Sequence, residues 1–245
     1  NAAEVEANIG TIASSGTKKF LASLQDGKAA SDNAEFIGQF GVGFYSAFMV
    51  ADRVTVVTRR RGEGQTAVRW NSTGTGEYEI DEAVRAEPGT EITLHLREGM
   101  DEYLDEWQIR QTVKQYSDYV GYPICMDVTK KEYPKKDDGT TDYEAKPTES
   151  IVEETLNSMK AIWRKGKGEV KPEEHAEFYR HISHDHGDPL ETIHFAAEGK
   201  AEFRAVLYIP KQAPFDLFMA ERHHGIHLYV KNVFISDECK QLLPD

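Results

Sequence analysis

The sequence predicts a mixed α+β fold in two units. Three observations lead there: β-branched segments crowded between positions 53 and 96, helix-periodic segments on either side of them, and a charged, aliphatic-poor stretch around position 140. The chain has 245 residues, more than a single domain usually holds, so two domains are the prior.

Taken in order, Ala2 to Ile9 carries acidic and apolar residues at helical spacing, and Thr17 to Leu24 repeats the pattern with Phe20, Leu21 and Leu24 on one side. Gly10 and Gly16 supply hinges, and Asp26 to Asn33 is small and polar, with Gly27 placed to end the preceding helix. Residues 10–37 therefore read as a hinged flap. Helix is expected over Tyr45 to Val50. Arg53 to Thr58 has the β-branched content of a strand, and Ala67 to Asn71, Tyr78 to Ile80 and Thr90 to Leu96 complete a small antiparallel sheet. Leu104, Trp107, Val113 and Tyr116 then recur at roughly helical intervals across Glu102 to Tyr119, which ends near Gly121 and Pro123.

Lys130 to Glu149 is almost free of aliphatic residues and marks a boundary. Asp138-Gly139 is a hairpin-turn signal, so residues 129–149 read as a short charged linker or a solvated hairpin. From Ser150 a second unit is expected to begin with a helix-like segment. It continues with Pro172 to Ile182 and reaches apolar strands at Ala205 to Ile209 and Ile226 to Val230, a mixture that implies α/β packing. No internal repeat is visible.

The net charge of −13, from 29 basic and 42 acidic residues, opposes nonspecific attachment to DNA or to anionic membranes. Two cysteines, Cys125 and Cys239, are too few for a disulfide framework and lack metal-ligand spacing, which fits a reducing compartment. No apolar run is long enough to span a bilayer, and the first ten residues do not resemble a secretory signal.

The most informative stretch is Ile37 to Phe48, where Gly38, Gly41 and Gly43 run into an apolar segment of helical character. Such a turn lets several backbone N–H groups converge on one anion. It is neither a P-loop, since no Gly-Lys-Ser/Thr follows, nor a dinucleotide fingerprint, since the glycine order is wrong and no strand precedes it. A different nucleotide fold is the sharper idea. Asn8 (donor and acceptors), the backbone of Gly41 to Phe44 and the Thr90 hydroxyl are the groups suited to a nucleotide. Read singly, they are equally a helix-surface Asn, a structural turn and a strand Thr.

With Glu6 to Phe20, Ile37 to Phe48 and Gly89 to Leu96 taken together, the chain closely resembles the heat-shock protein 90 family of chaperones, bacterial branch. The likeness continues through Ile162-Trp163-Arg164, Glu177 to Arg180, Leu207 to Pro210, Ala213 to Asp216 and Val230 to Ile235, and so covers essentially the whole chain. The resemblance implies a two-layer α/β sandwich of the Bergerat ATPase type, truncated at its N-terminal side, over residues 1–128. The start of an α/β middle domain over 150–245 would follow.

The resemblance further implies binding of ATP or ADP with Mg²⁺. Asn8 would contact nucleotide, Gly38, Gln39, Phe40, Gly41, Val42, Gly43 and Phe44 would surround the phosphates, and Thr90 would help position the adenine. Residues 10–37 would be the lid. It implies a stress-response ATPase that cycles as a homodimeric clamp around unfolded client proteins, in the cytoplasm or, alternatively, in mitochondria, with no nucleic-acid or membrane partner. Two departures stand out. Ser14 replaces the Lys or Arg that many relatives direct at the phosphates. The family's general-base Glu and Mg-ligating Asn match no position here, so the chain reads as an internal fragment unable to hydrolyse ATP alone. The alternatives are a DNA-acting ATPase of the same nucleotide fold, of gyrase or mismatch-repair type, and a nonhydrolysing binding module.

His175, His181, His184 and His186 invite a metal reading, but their spacing matches no standard zinc pattern, and a structural role at a helix end is preferred. His223 and His224 read as loop residues. Phe215, Leu217, Phe218 and Met219 read as core, with an exposed contact patch as the alternative, and Trp163 reads as a packing residue before a client contact.

Overall fold

A computed structural model describes residues 1–11, 41–62, 64, 66–136, 139–198, 202–213 and 225–237. Most of the expected lid, including Ser14 and the Thr17–Leu24 helix, lies outside the described residues. So do Gly38, Gln39, Phe40, Asp138, Phe215 to Met219, His223, His224 and Cys239. The chain divides into two compact units, Asn1–Ile109 and Arg110–Asp245. The architecture is α+β, with every paired strand antiparallel.

In the first unit, helix α1 (Ala2–Asn8) opens with the Asn1 side chain accepting the Glu4 amide at 3.0 Å. A four-stranded sheet follows, built from β1 (Ala51–Arg59), β2 (Ala67–Ser72), β3 (Tyr78–Ala83) and β4 (Gly89–Leu96) in the order β3-β2-β1-β4. Its register aligns Ile80, Trp70, Val56 and Ile92 in one row across the sheet, with Val68, Thr58 and Thr90 in a neighbouring row. Directly paired residues share a face, so both rows lie on the side that buries Val54, Val56 and Trp70. Val5 of α1 packs on that side, with Ile9, Phe44, Ala47 and Phe48 around it. The described helices pack on β1 and β2, whereas on β4 Ile92 remains 52% and Leu94 39% exposed.

The expected helix from Glu102 to Tyr119 is interrupted. A 3-10 turn at Asp101–Leu104 ends at an extended Asp105, whose carboxylate accepts the Gln108 amide at 3.0 Å and so starts a new helix, α2 (Glu106–Ser117). A capping residue stops one helix and begins the next, which periodicity alone does not reveal.

In the second unit the expected helix after Ser150 is a strand. β6 (Thr148–Thr155) pairs along its whole length with β5 (Cys125–Glu132), Ile151 opposite Thr129 and Val152 opposite Val128. The β-branched pairs satisfy the extended backbone, and this cross-strand partner outweighs the local helical pattern. Residues 129–149 are thus the distal part of a hairpin, where Lys135 bridges Thr141 and Gly139 has φ +83°.

Helix α3 (Pro172–Ser183) lies against the hairpin of β7 (Pro189–Ala197) and β8 (Phe203–Pro210). A further hairpin, β9 (Leu228–Val230) and β10 (Val233–Ser236), turns through Lys231 and Asn232, both at positive φ. The core of this unit is aromatic. Trp163 stacks on Tyr229 at 4.7 Å and meets Tyr119 edge-on at 4.8 Å, with Phe178 beside both Trp163 and Tyr119. Trp163 is therefore a packing residue, as its sequence context suggests. Burial, with the Asp118 carboxylate adding to it, pushes the Tyr229 phenol up to about 12.

Candidate functional site

The glycine turn sits where the helices meet the sheet. Gly41 has φ +66°, a conformation that costs a residue with a Cβ roughly 1–2 kcal/mol. Val42 closes a first turn by accepting the Tyr45 amide at 3.1 Å, and a 3-10 helix runs from Gly43 to Met49 with no side chain capping its start. A Cβ placed on Gly43 would meet no described atom within 4 Å, so packing among the described residues does not require glycine there.

Phe44 points the other way, into the core, edge-on to Trp70 at 5.6 Å. The turn is thereby fastened to the sheet on one side and left open on the other, where Val42 is half exposed.

Two further ties hold this element. The Tyr45 hydroxyl donates to the Ile9 carbonyl at 2.5 Å, just beyond the last residue of α1. Burial, and then the neighbouring Tyr78, hold that phenol above its ordinary value, so it stays a donor. At the far end, Arg97 donates through Nη2 to the Phe48 carbonyl at 2.7 Å and through Nε to the Ala51 carbonyl at 3.2 Å. A cation on the final carbonyls of a helix satisfies groups that have no partner within it. Neither residue stands out in the sequence. Their partners lie 36 to 49 positions away, so no local pattern announces them.

The remaining sequence-selected residues fall on the same side of the sheet. Asn8 is the exposed last residue of α1. Thr90 is exposed on β4, its hydroxyl 2.8 Å from that of Thr58. The structure thus brings the elements bearing Asn8, Gly41 to Phe44 and Thr90 to one face of one sheet.

The histidines separate. His175 is buried, whereas His181, His184 and His186 are exposed, and His184 ends α3 in the left-handed conformation at φ +55°. The loop after it is held by Asp185, which accepts from Tyr179 at 2.9 Å and from the Gly187 amide at 3.0 Å. Among the described residues no group of three or more His, Cys, Asp or Glu side chains could hold a metal ion.

The family profile described as Hsp90 protein matches residues 130–245. Chaperone protein HtpG of Geobacter metallireducens is 61% identical over 243 residues, 99% of this chain and 37% of that protein. The chain belongs to the heat-shock protein 90 family. HtpG of Geobacter sulfurreducens is likewise 61% identical over 99% of the chain, and HtpG of Mycobacterium tuberculosis is 48% identical over 247 residues. This Hsp90-family chain spans 37–38% of the length of these relatives. No helix among the described residues is long and apolar enough to cross a membrane.

Proposed function

We propose that the protein carrying this chain is an ATP-dependent molecular chaperone. In this reading residues 1–128 form part of a Bergerat-type nucleotide domain and residues 150–245 begin a middle domain. The observation that carries it is the open glycine turn at Gly41–Gly43, strapped to the sheet by Phe44 and Arg97, in a chain 61% identical to a protein named as a chaperone.

The nucleotide phosphates of ATP or ADP lie against the backbone of Gly38, Gln39, Phe40, Gly41, Val42, Gly43 and Phe44. Donors fixed in the fold before the ligand arrives stabilise phosphate charge without reorganising. Asn8 contacts the nucleotide and the Thr90 hydroxyl helps position the adenine. Mg²⁺ accompanies the phosphates in this reading, and no group of three or more described His, Cys, Asp or Glu side chains forms a ligand set for it. In this reading the chain by itself does not hydrolyse ATP. The lid at residues 10–37, a homodimeric clamp, unfolded clients and a cytoplasmic location belong to the same proposal.

Calorimetric titration of the gene product that carries this chain, with ADP and separately with duplex DNA at low salt, tests the reading. Saturable ADP binding with no heat from DNA is expected. DNA binding that falls steeply as salt is added, without ADP binding, would replace it with a DNA-acting protein.

A further inference from the structure

Two histidines face each other inside the second unit. His175 of α3 is 9% exposed and His194 of β7 is 6% exposed, and their rings meet edge-to-face with centroids 5.5 Å apart. His175 Nδ1 lies 2.9 Å from the Tyr208 hydroxyl of β8. Burial keeps that phenol above its ordinary range and hence protonated, so it can donate to a neutral Nδ1. His194 Nδ1 is buried with no hydrogen-bond partner among the described residues. Neither ring forms an ion pair among the described residues.

None of the charged groups nearby is ion-paired with either histidine among the described residues. Lys167, Glu173, Arg180 and Asp188 share with both histidines the lining of a cavity of about 590 Å³. Asp188 is engaged by Arg180 at 3.2 Å, and Glu174, next to His175 on α3, by Lys165 at 2.5 Å. On β8 the facing group is the Tyr208 phenol, and on α3 Tyr179 packs on that same ring.

From this arrangement we infer that the His175–His194 pair is a proton-sensitive joint, and that acidification loosens α3 from the β7–β8 hairpin. A proton on either ring creates a buried cation beside a second basic ring with no carboxylate paired to it. A detached helix lets both rings reach water. This inference stands apart from the nucleotide reading.

The direction of the pH effect follows from linkage. Burial, and then His194, hold His175 below its ordinary 6.5, with Glu174 pulling the other way. Between the unfolded value and the lowered folded one, the unfolded chain binds more protons. Stability is therefore full above the unfolded value, falls as pH drops through about 6.5, and levels off once pH passes the folded value. His227 is also lowered, chiefly by burial, and adds a background of the same sign.

The test compares thermal unfolding of the full chain from about pH 8 to about pH 5.5 in wild type and in the His175→Phe/His194→Phe double variant. We expect the acid-dependent fall in Tm to be at least halved in the variant, leaving the His227 background. An undiminished fall would overturn the inference. Imidazole NMR titration of the wild-type chain decides independently if the variant does not fold. The His175 ring must titrate below the ordinary histidine value, with α3 amides losing exchange protection over the same interval. Titration at or above that value, or unchanged α3 protection, would reject it.

Discussion

Trp70→Ala is expected to destabilise the first unit by about 3–5 kcal/mol, the usual cost of truncating a buried tryptophan. Trp70 is 2% exposed and stands mid-row between Ile80 and Val56. Its indole stacks on Tyr78 at 6.1 Å and receives Phe44 edge-on at 5.6 Å. Against a total stability of roughly 5–15 kcal/mol, that loss is a large share. Trp70→Phe should cost distinctly less. It leaves a smaller void and also removes the indole N–H, which has no partner among the described residues. Urea midpoints followed by circular dichroism would rank the two. Equal losses would mean that the indole's size is not what fills the site. Because Phe44 is part of the glycine turn, both changes also loosen the element proposed to hold phosphate.

In the second unit, Asn157→Ala should cost about 3 kcal/mol, through unmade hydrogen bonds and not through lost volume. Asn157 is 5% exposed. Its Oδ1 accepts the Ile124 amide at 2.8 Å, and its Nδ2 donates to the carbonyls of Val120 at 3.0 Å and Tyr122 at 2.9 Å. One side chain thus joins the chain after α2 to the chain after β6. Removing it leaves three backbone groups without that partner, each worth roughly 1–3 kcal/mol if no water replaces it. Asn157→Asp keeps the acceptor but sets a carboxylate against two carbonyl oxygens, so it should be worse than Ala at neutral pH and recover on acidification. Urea denaturation of the three proteins at two pH values checks both points, and a loss for Ala below about 1 kcal/mol would show that water readily substitutes.

The first sheet was legible because its strands are β-branched, short and separated by turn residues, so β1, β2, β3 and β4 stand where Arg53 to Leu96 suggests. α3 was legible as a segment, Pro172 to Ile182, and Pro172 at its start together with its apolar spacing accounts for its being helical. β6 was not, since Ile151 and Val152 acquire their extended conformation from β5, a partner more than twenty residues earlier. β7 also escaped notice, and His194 with it. Nothing in its neighbours shows that Tyr208 and His175 will meet it. At the candidate site, the glycines were visible from composition alone, because positive φ at Gly41 selects the residue type. Arg97, Tyr45 and Asn157 were not. Their side chains serve distant backbone groups, and an Arg, Tyr or Asn looks the same in sequence whether or not it finds them.

The most direct test of the nucleotide reading is the affinity of the gene product for ADP after Gly43→Ala, measured beside its thermal stability. The added methyl meets no described atom within 4 Å, so stability should change by less than about 0.5 kcal/mol. If phosphate lies against that backbone, the methyl stands in its path. ADP affinity should then fall at least about tenfold, a loss of about 1.4 kcal/mol. Unchanged stability together with unchanged ADP affinity would contradict the account, because the turn would then be open but empty of the ligand assigned to it.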